Sequence, residues 1–282
     1  MKDNDIAILV GSFDGDEDLW GPFFKLFFQY WPDCPWPIYL QTNHKSYADP
    51  RVISMKLGPD SGFSDFLAAT LRAIPHEHIL YFLDDFLLTA PVNTSGLQTV
   101  FETMKQRQAG YFRLCPVPKP DEPIGKVGEY DFGRISKGQR FRAALQLALW
   151  RQTMLLGLIK DKEAPRAFEM GIGERSFALP DEFLSLTDAY PHWPVPYYVT
   201  GVIHGYWVPE AVEICRKHGI EVDLKETATA TLAAPHGAWQ PGGRGDPEGA
   251  VDNTGNIAGK RNELNASRSK QNWLSLVVHE QR

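Results

Sequence analysis

Over residues 1–90 the apolar positions alternate between two rhythms. Ile6 to Val10 (IAILV) is an unbroken apolar run ended by Gly11-Ser12. That pattern marks a strand covered on both faces, as strands of parallel sheets are. Glu17 to Tyr30 carries a helical pattern rich in Phe and Leu and stops at Trp31-Pro32. Pro37 to Gln41 (PIYLQ) reads as a second strand and Val52 to Leu57 as a weaker third. After the turn GPDSGFS (58–64), Phe63, Phe66, Leu67, Leu71 and Ile74 recur at three- and four-residue spacing, predicting an amphipathic helix ended by Pro75. His78 to Thr89 (HILYFLDDFLLT) supplies a fourth strand, whose apolar run meets two adjacent aspartates. Such alternation predicts an α/β layer fold with a mostly parallel central sheet flanked by helices.

Further along, Gly110 to Leu114 predicts a strand and Pro116 to Gly138 a loop. Arg142 to Ile159 is apolar nearly all round, which predicts a helix buried between layers. Loop-rich passages surround Glu169 and Asp181, and Tyr197 to Ile203 reads as a last strand. Pro209 opens a helix that stops at Gly219, matching the preference for Pro at the start and Gly past the end. From Thr227 the chain is poor in large apolar residues and rich in Gly, Ala, Asn and Pro. It buries too little to order itself and is expected to be a flexible tail, with WLSLVVH near the end as a possible docking element.

Composition narrows the function classes. The 282 residues are 43% hydrophobic and 12% aromatic, suiting an enzyme-sized globular chain. A net charge of −6 gives no general basic field, so nucleic acid is not the expected partner. The acidic N-terminus lacks the apolar core of a signal peptide, and no apolar run is long enough for a transmembrane segment. Cys34, Cys115 and Cys215 are far apart and outside metal-ligand spacing, as expected of reduced thiols in a cytoplasmic protein. The scattered histidines argue against a structural zinc.

Asp84 and Asp85 stand where the fourth strand leaves the sheet, the place where open α/β sheets bind ligands. Adjacent carboxylates there repel one another and lose hydration unless a cation compensates. A hard divalent ion, Mg²⁺ or Mn²⁺, would do so and could also hold phosphates. The plainer alternative is that Asp84 caps a turn and Asp85 pairs with an arginine.

HILYFLDDF resembles the metal-binding strand of GT-A glycosyltransferases, the nucleotide-sugar-dependent enzymes, including their bacterial surface-polysaccharide branch. GSFD, WPIYLQTN, GPDSGFS, LDDF, ALW in a helix, FEMGIGERS and GVIHGYW follow in the order expected of that branch, so the resemblance covers residues 5–225. It implies a catalytic domain over 1–226, with a nucleotide-sugar-binding half (1–115) and an acceptor-side half (116–226), followed by the tail at 227–282. One departure stands out: the usual motif is Asp, any residue, Asp, whereas Phe86 occupies the last acid's place.

By this resemblance Asp85 and a late histidine, His204, contact a divalent metal, Mn²⁺ or Mg²⁺, and Asp84 lies near the ribose. Gly11, Ser12 and Asp14 face the nucleotide, although a solvated turn would also explain them; Asp60 faces the base, although it could simply cap the next helix. Glu169 is the implied general base, with Asp181 in reserve; the alternative is a surface acid paired with Arg166 or Arg175. Arg113 and Arg134 are candidates to neutralise diphosphate charge, and Trp207 to stack on an acceptor sugar, while Trp150 reads as core. The implied activity moves a sugar from a nucleotide donor to a hydroxyl of a glycan or lipid-linked acceptor in surface polysaccharide synthesis, with peripheral membrane association open. If Glu169 is the base, the anomeric configuration inverts. A sugar-phosphate nucleotidyltransferase is the rival enzyme, but GSFDGDEDLW lacks the basic residues such enzymes carry after the first strand. A non-catalytic α/β nucleotide-binding protein is the third reading.

Overall fold

The computed structural model describes residues 5–224, apart from 190, 199 and 204. The expected tail therefore lies outside the described residues, as does His204. Strand β1 (Ile6–Gly11) leads through a short 3-10 turn into helix α1 (Glu17–Tyr30), then β2 (Ile38–Leu40) and β3 (Val52–Ser54). Helix α2 (Phe63–Ala73) returns the chain to β4 (His78–Leu83). Both β1 and β4 are buried at every position, which is why their sequences show no alternation. Phe23 and Phe27 of α1 pack edge-on against Phe82 of β4, with ring centroids 6.0 and 5.8 Å apart. The aromatic face of α1 thus covers the centre of the sheet.

After β4 come a two-residue strand β5 (Leu87–Leu88), helix α3 (Thr94–Gln106) and β6 (Tyr111–Arg113). A hairpin of β7 (Glu122–Val127) and β8 (Tyr130–Arg134) precedes β9 (Ala148–Arg151) and helix α4 (Gln152–Leu158). Helix α5 (Pro165–Arg175) leads to β10 (Phe183–Leu186). Short strands β11 (Tyr197–Tyr198), β12 (Val202–Ile203) and β13 (Tyr206–Trp207) come before helix α6 (Pro209–Lys217).

One nine-stranded sheet, in the order β3-β2-β1-β4-β9-β6-β10-β8-β7, spans both halves of the chain. Strands β1 to β4 are parallel, and only β9 and β8 run against the common direction. This is the expected mostly parallel α/β architecture. Gly11 lies opposite Leu83 in the β1–β4 register, so the residues following both strands emerge side by side at the carboxyl edge.

Several segments depart from the sequence-based expectation. Residues 142–159 are not one helix: Ala148–Arg151 is strand β9, inserted antiparallel between β4 and β6. Ala148, Leu149 and Trp150 are fully buried there, and all-round apolarity is common to central strands and buried helices. Residues 116–138 are not all loop, because β7 and β8 form the sheet's outer hairpin. Five of the six residues of β7 are exposed, and Pro123 sits on this edge strand where its missing N–H costs least, so no apolar rhythm betrays it. The single strand expected over 197–203 is divided: β11 pairs with β5, and β12 with β13.

The sheet's second half is tied by ions as well. Glu182 accepts from Arg107 through two hydrogen bonds of 2.8 Å and from Arg134 Nη2 at 2.6 Å. The Arg107 hydrogen bond, followed by that from Arg134, holds the Glu182 carboxyl below the usual glutamate range. A depressed folded-state pKa gives stability that is complete above the ordinary glutamate pKa and lost as pH falls through the depressed one. Glu182→Gln is therefore expected to lower Tm at neutral pH and to converge with wild type in acid. Parallel Tm curves across the pH range would contradict this.

Candidate active site

A cleft of about 350 Å³ opens at the carboxyl edge of β1 and β4. Gly11, Ser12 and Gln41 line it from the sheet, Asp60 and Phe63 from the entry to α2, and Lys162 from the segment leading into α5. Three of the residues expected to face a nucleotide, Gly11, Ser12 and Asp60, therefore share one cleft. Asp60 Oδ1 accepts from Gly62 N at 2.8 Å, closing the turn that starts α2. Ser12 Oγ accepts from Trp20 Nε1 at 2.6 Å, so its side chain is tied to α1.

Gly11 is required by close approach rather than by its backbone angle. A Cβ at this position would lie 2.2 Å from the hydroxyl of Tyr81, which also lines the cleft and is itself buried. Gly11→Ala must displace a packed aromatic ring, and overpacking of this kind costs about 1–3 kcal/mol. The expected result is a lower Tm together with weaker ligand binding in the cleft. An unchanged Tm would show that Tyr81 moves aside freely.

Tyr81 joins the cleft to the acids. Burial, then the charges of Asp84, Glu169 and Asp85, raise its phenol above the usual tyrosine range, so it stays protonated at neutral pH. The charges of three carboxylates from two distant parts of the chain thus act on one buried phenol. Asp84 and Asp85 form the tight turn ending β4, closed by Phe86 N donating to Leu83 O at 3.1 Å. Both are buried, at 3% and 1% exposure, while Glu169 on α5 is half-buried. Phe86, in the place of the motif's last acid, is a core residue whose ring lies 4.8 Å from that of Tyr197.

Asp85 is also an anchor. Its Oδ2 accepts from Thr200 Oγ1 at 2.8 Å, Gly201 N at 3.2 Å and Val202 N at 3.4 Å. Its backbone carbonyl accepts from Gly201 N at 3.0 Å. The acid therefore binds the segment entering β12 to the end of β4. Oxygen donors such as Asp84 and Asp85 suit a hard divalent ion, but no group of three or more His, Cys, Asp or Glu could hold one among the described residues. The pair can supply part of a coordination shell, which fits an ion completed by substrate phosphates and water.

Other expected residues are placed elsewhere. The carboxylate of Asp14 accepts from Asn43 N and His44 N, each at 2.9 Å, clamping the loop after β2 to the loop after β1. Arg113 is fully buried and donates to Tyr111 Oη at 3.1 Å, to Pro118 O at 2.8 Å and to Phe141 O. Arg134 pairs with Glu122 and Glu182. Asp181 pairs with Arg151, whose Cα partner is His78 at the amino end of β4, so Asp181 lies at the opposite end of that strand from the acids. Trp207 is buried in a small core with Leu19, Leu26 and Leu87.

Glu169 lies within α5, not in a loop. Gly171 and Gly173 weaken the helical signal of FEMGIGERS, each by about 1 kcal/mol relative to Ala. Packing restores it, because Phe168 and Ile172 are fully buried and the ring of Phe168 meets that of Phe63, 5.5 Å away on α2. Tyr81 and Lys162 were not singled out from sequence. A hydroxyl-bearing ring inside an apolar strand that ends in acids was the available signal for Tyr81.

No family model matches the chain, and no curated protein matches it. Among solved structures it is similar to S. aureus TarS 1-349 in complex with UDP-GlcNAc, at 12% identity and TM-score 0.47, over 79% of this chain and 68% of that one. It is also similar to the complex of the same protein with UDP, at 11% identity and TM-score 0.46 over the same shares. CMP:2-keto-3-deoxy-manno-octonic acid synthetase complexed with CTP is similar at 12% identity and TM-score 0.40, over 76% of this chain and 98% of that one. Likenesses at this level carry no assignment of activity.

Proposed function

We propose that the protein is a nucleotide-sugar-dependent glycosyltransferase that moves a sugar to a hydroxyl of a glycan or lipid-linked acceptor. The observation that carries this reading is the cleft at the carboxyl edge of β1 and β4, lined by Gly11, Ser12, Asp60 and Tyr81, next to the buried acids Asp84 and Asp85 that end β4. Ligand sites of open α/β sheets form at this edge. The motif resemblance of HILYFLDDF and its neighbours supplies the substrate class.

In this reading the nucleotide lies against the backbone of Gly11 and Ser12, with Asp60 at the base. Asp85 would hold a divalent metal, Mn²⁺ or Mg²⁺, which when bound offsets the charge of the departing diphosphate, with Asp84 near the ribose. Glu169 takes the proton of the acceptor hydroxyl as that oxygen forms a bond to the anomeric carbon. The bond from that carbon to the diphosphate oxygen breaks, and its electron pair leaves with the nucleotide. Direct displacement inverts the anomeric centre. This reading leaves Asp181 out, since it pairs with Arg151 toward the amino end of β4. This reading gives Arg113 and Trp207, both buried, a part in the fold and none on substrate.

The test is a panel of nucleotide sugars screened for thermal stabilisation with and without Mn²⁺, since a ligand that binds only the folded state raises Tm. The stabilising donor is then followed for release of nucleoside diphosphate. Stabilisation with diphosphate release supports a glycosyltransferase, and pyrophosphate chemistry from a nucleoside triphosphate supports the nucleotidyltransferase instead. No stabilisation by any nucleotide sugar would overturn the reading.

A further inference from the structure

A nucleotide diphosphate entering this cleft meets an acidic neighbourhood: Asp60 on the rim, and Asp84, Asp85 and Glu169 around Tyr81. Bringing like charges together is unfavourable unless cations offset them. The arginines that sequence made candidates for that task are engaged elsewhere, Arg113 with an internal hydroxyl and carbonyls and Arg134 with Glu122 and Glu182. Arg175, which lies closer in sequence, pairs with Glu163. Among the described residues Lys162 is the one lysine or arginine lining the cleft, and its ammonium makes no ion pair there.

The placement of Lys162 is built into the fold. Its backbone N–H donates to Asp65 Oδ1 at 2.9 Å, and the next residue's N–H donates to Ser64 Oγ at 2.8 Å. Both partners lie in the first turn of α2. On the other side, Arg175 grips Glu163 through two hydrogen bonds of 2.9 Å and donates to Leu158 O at 2.6 Å. The segment is thereby pinned to α2, α4 and α5 at once, with Lys162 itself held at φ of +58°, where a non-glycine residue is uncommon. Its backbone is fixed while its side chain is exposed.

We infer that Lys162 is the protein's own counter-charge for the diphosphate of the nucleotide ligand, acting from the α4–α5 segment that lines the cleft. This rests on the nucleotide reading of the cleft. An ammonium there binds phosphate oxygens as a point charge, through charge-assisted hydrogen bonds.

Isothermal titration of the full chain with three matched pairs, uridine and UDP, guanosine and GDP, cytidine and CDP, tests the inference. Wild type is expected to bind at least one diphosphate more tightly than its nucleoside. Lys162→Ala should weaken that diphosphate roughly tenfold, as expected for one hydrogen bond between charged groups, and leave the nucleoside unchanged. Lys162→Arg should retain most of the affinity, and the difference between wild type and Lys162→Ala should shrink as salt is raised. Ala and Lys both carry a Cβ, so the strained backbone is unaltered and Tm should hold. Equal diphosphate affinity in wild type and Lys162→Ala, or equal loss of nucleoside and diphosphate, overturns the role of Lys162 alone. Failure of wild type to bind any of the three diphosphates overturns the nucleotide reading together with it.

Discussion

Glu169→Gln is expected to lower sugar transfer by a factor on the order of 10²–10⁴ while donor affinity and Tm stay close to wild type. The glutamine keeps the shape of the side chain and can hydrogen-bond, but it cannot take the acceptor's proton. Donor binding should hold because the nucleotide contacts we propose, at Gly11, Ser12 and Asp60, lie on other elements than α5. Stability should hold because Glu169 is half-buried and the packing of α5 rests on Phe168 and Ile172. Of the two arginines open to it as ion-pair partners, Arg175 pairs with Glu163 instead. If Glu169 serves only the fold, the pattern reverses: Tm falls and turnover per folded molecule does not. Turnover, donor affinity and Tm measured on one preparation separate the two outcomes, and near-normal turnover would remove Glu169 from the mechanism.

The parts of the fold legible in sequence are those whose environment is uniform along their length. β1 and β4 are buried on both faces and read as unbroken apolar runs, and α1 and α2 each bury one stripe. Where one pattern has two solutions, sequence chose the wrong one. ALW is a central strand although its apolarity also suits a buried helix, and β7 is an edge strand exposed at nearly every position. Helix α5 was hidden by its glycines, because its stability comes from α2 and the core and not from local propensity.

The same division governs the site. The place of Asp84 and Asp85 was legible because one strand and its end define it locally. The importance of Tyr81 depends on Gly11 in the neighbouring strand and Glu169 in a remote helix. That of Lys162 depends on contacts made by residues 64, 65 and 175. No spacing rule within a single segment reports such meetings.

Asp85 gives the second large expected effect, and two substitutions there separate its two roles. Asp85→Ala removes the acceptor for the Thr200 hydroxyl and the Val202 amide at a buried position, and leaves Gly201 N with the backbone carbonyl alone. Donors stranded in this way cost about 1–3 kcal/mol each, so Tm should fall clearly, with the segment at 200–202 the first to open. Asp85→Asn leaves one oxygen to accept those bonds and removes the negative charge. Its Tm should stay near wild type while transfer falls roughly a hundredfold or more and stabilisation by a donor no longer responds to Mn²⁺. Hydrogen exchange at Gly201 and Val202, read beside Tm and turnover, reports the anchor independently of activity. Full activity in Asp85→Asn would mean that the carboxylate's charge is unnecessary and that Asp85 serves the fold alone. In that case the counter-charge for the diphosphate would fall to Lys162, and Lys162→Ala would become the more damaging substitution.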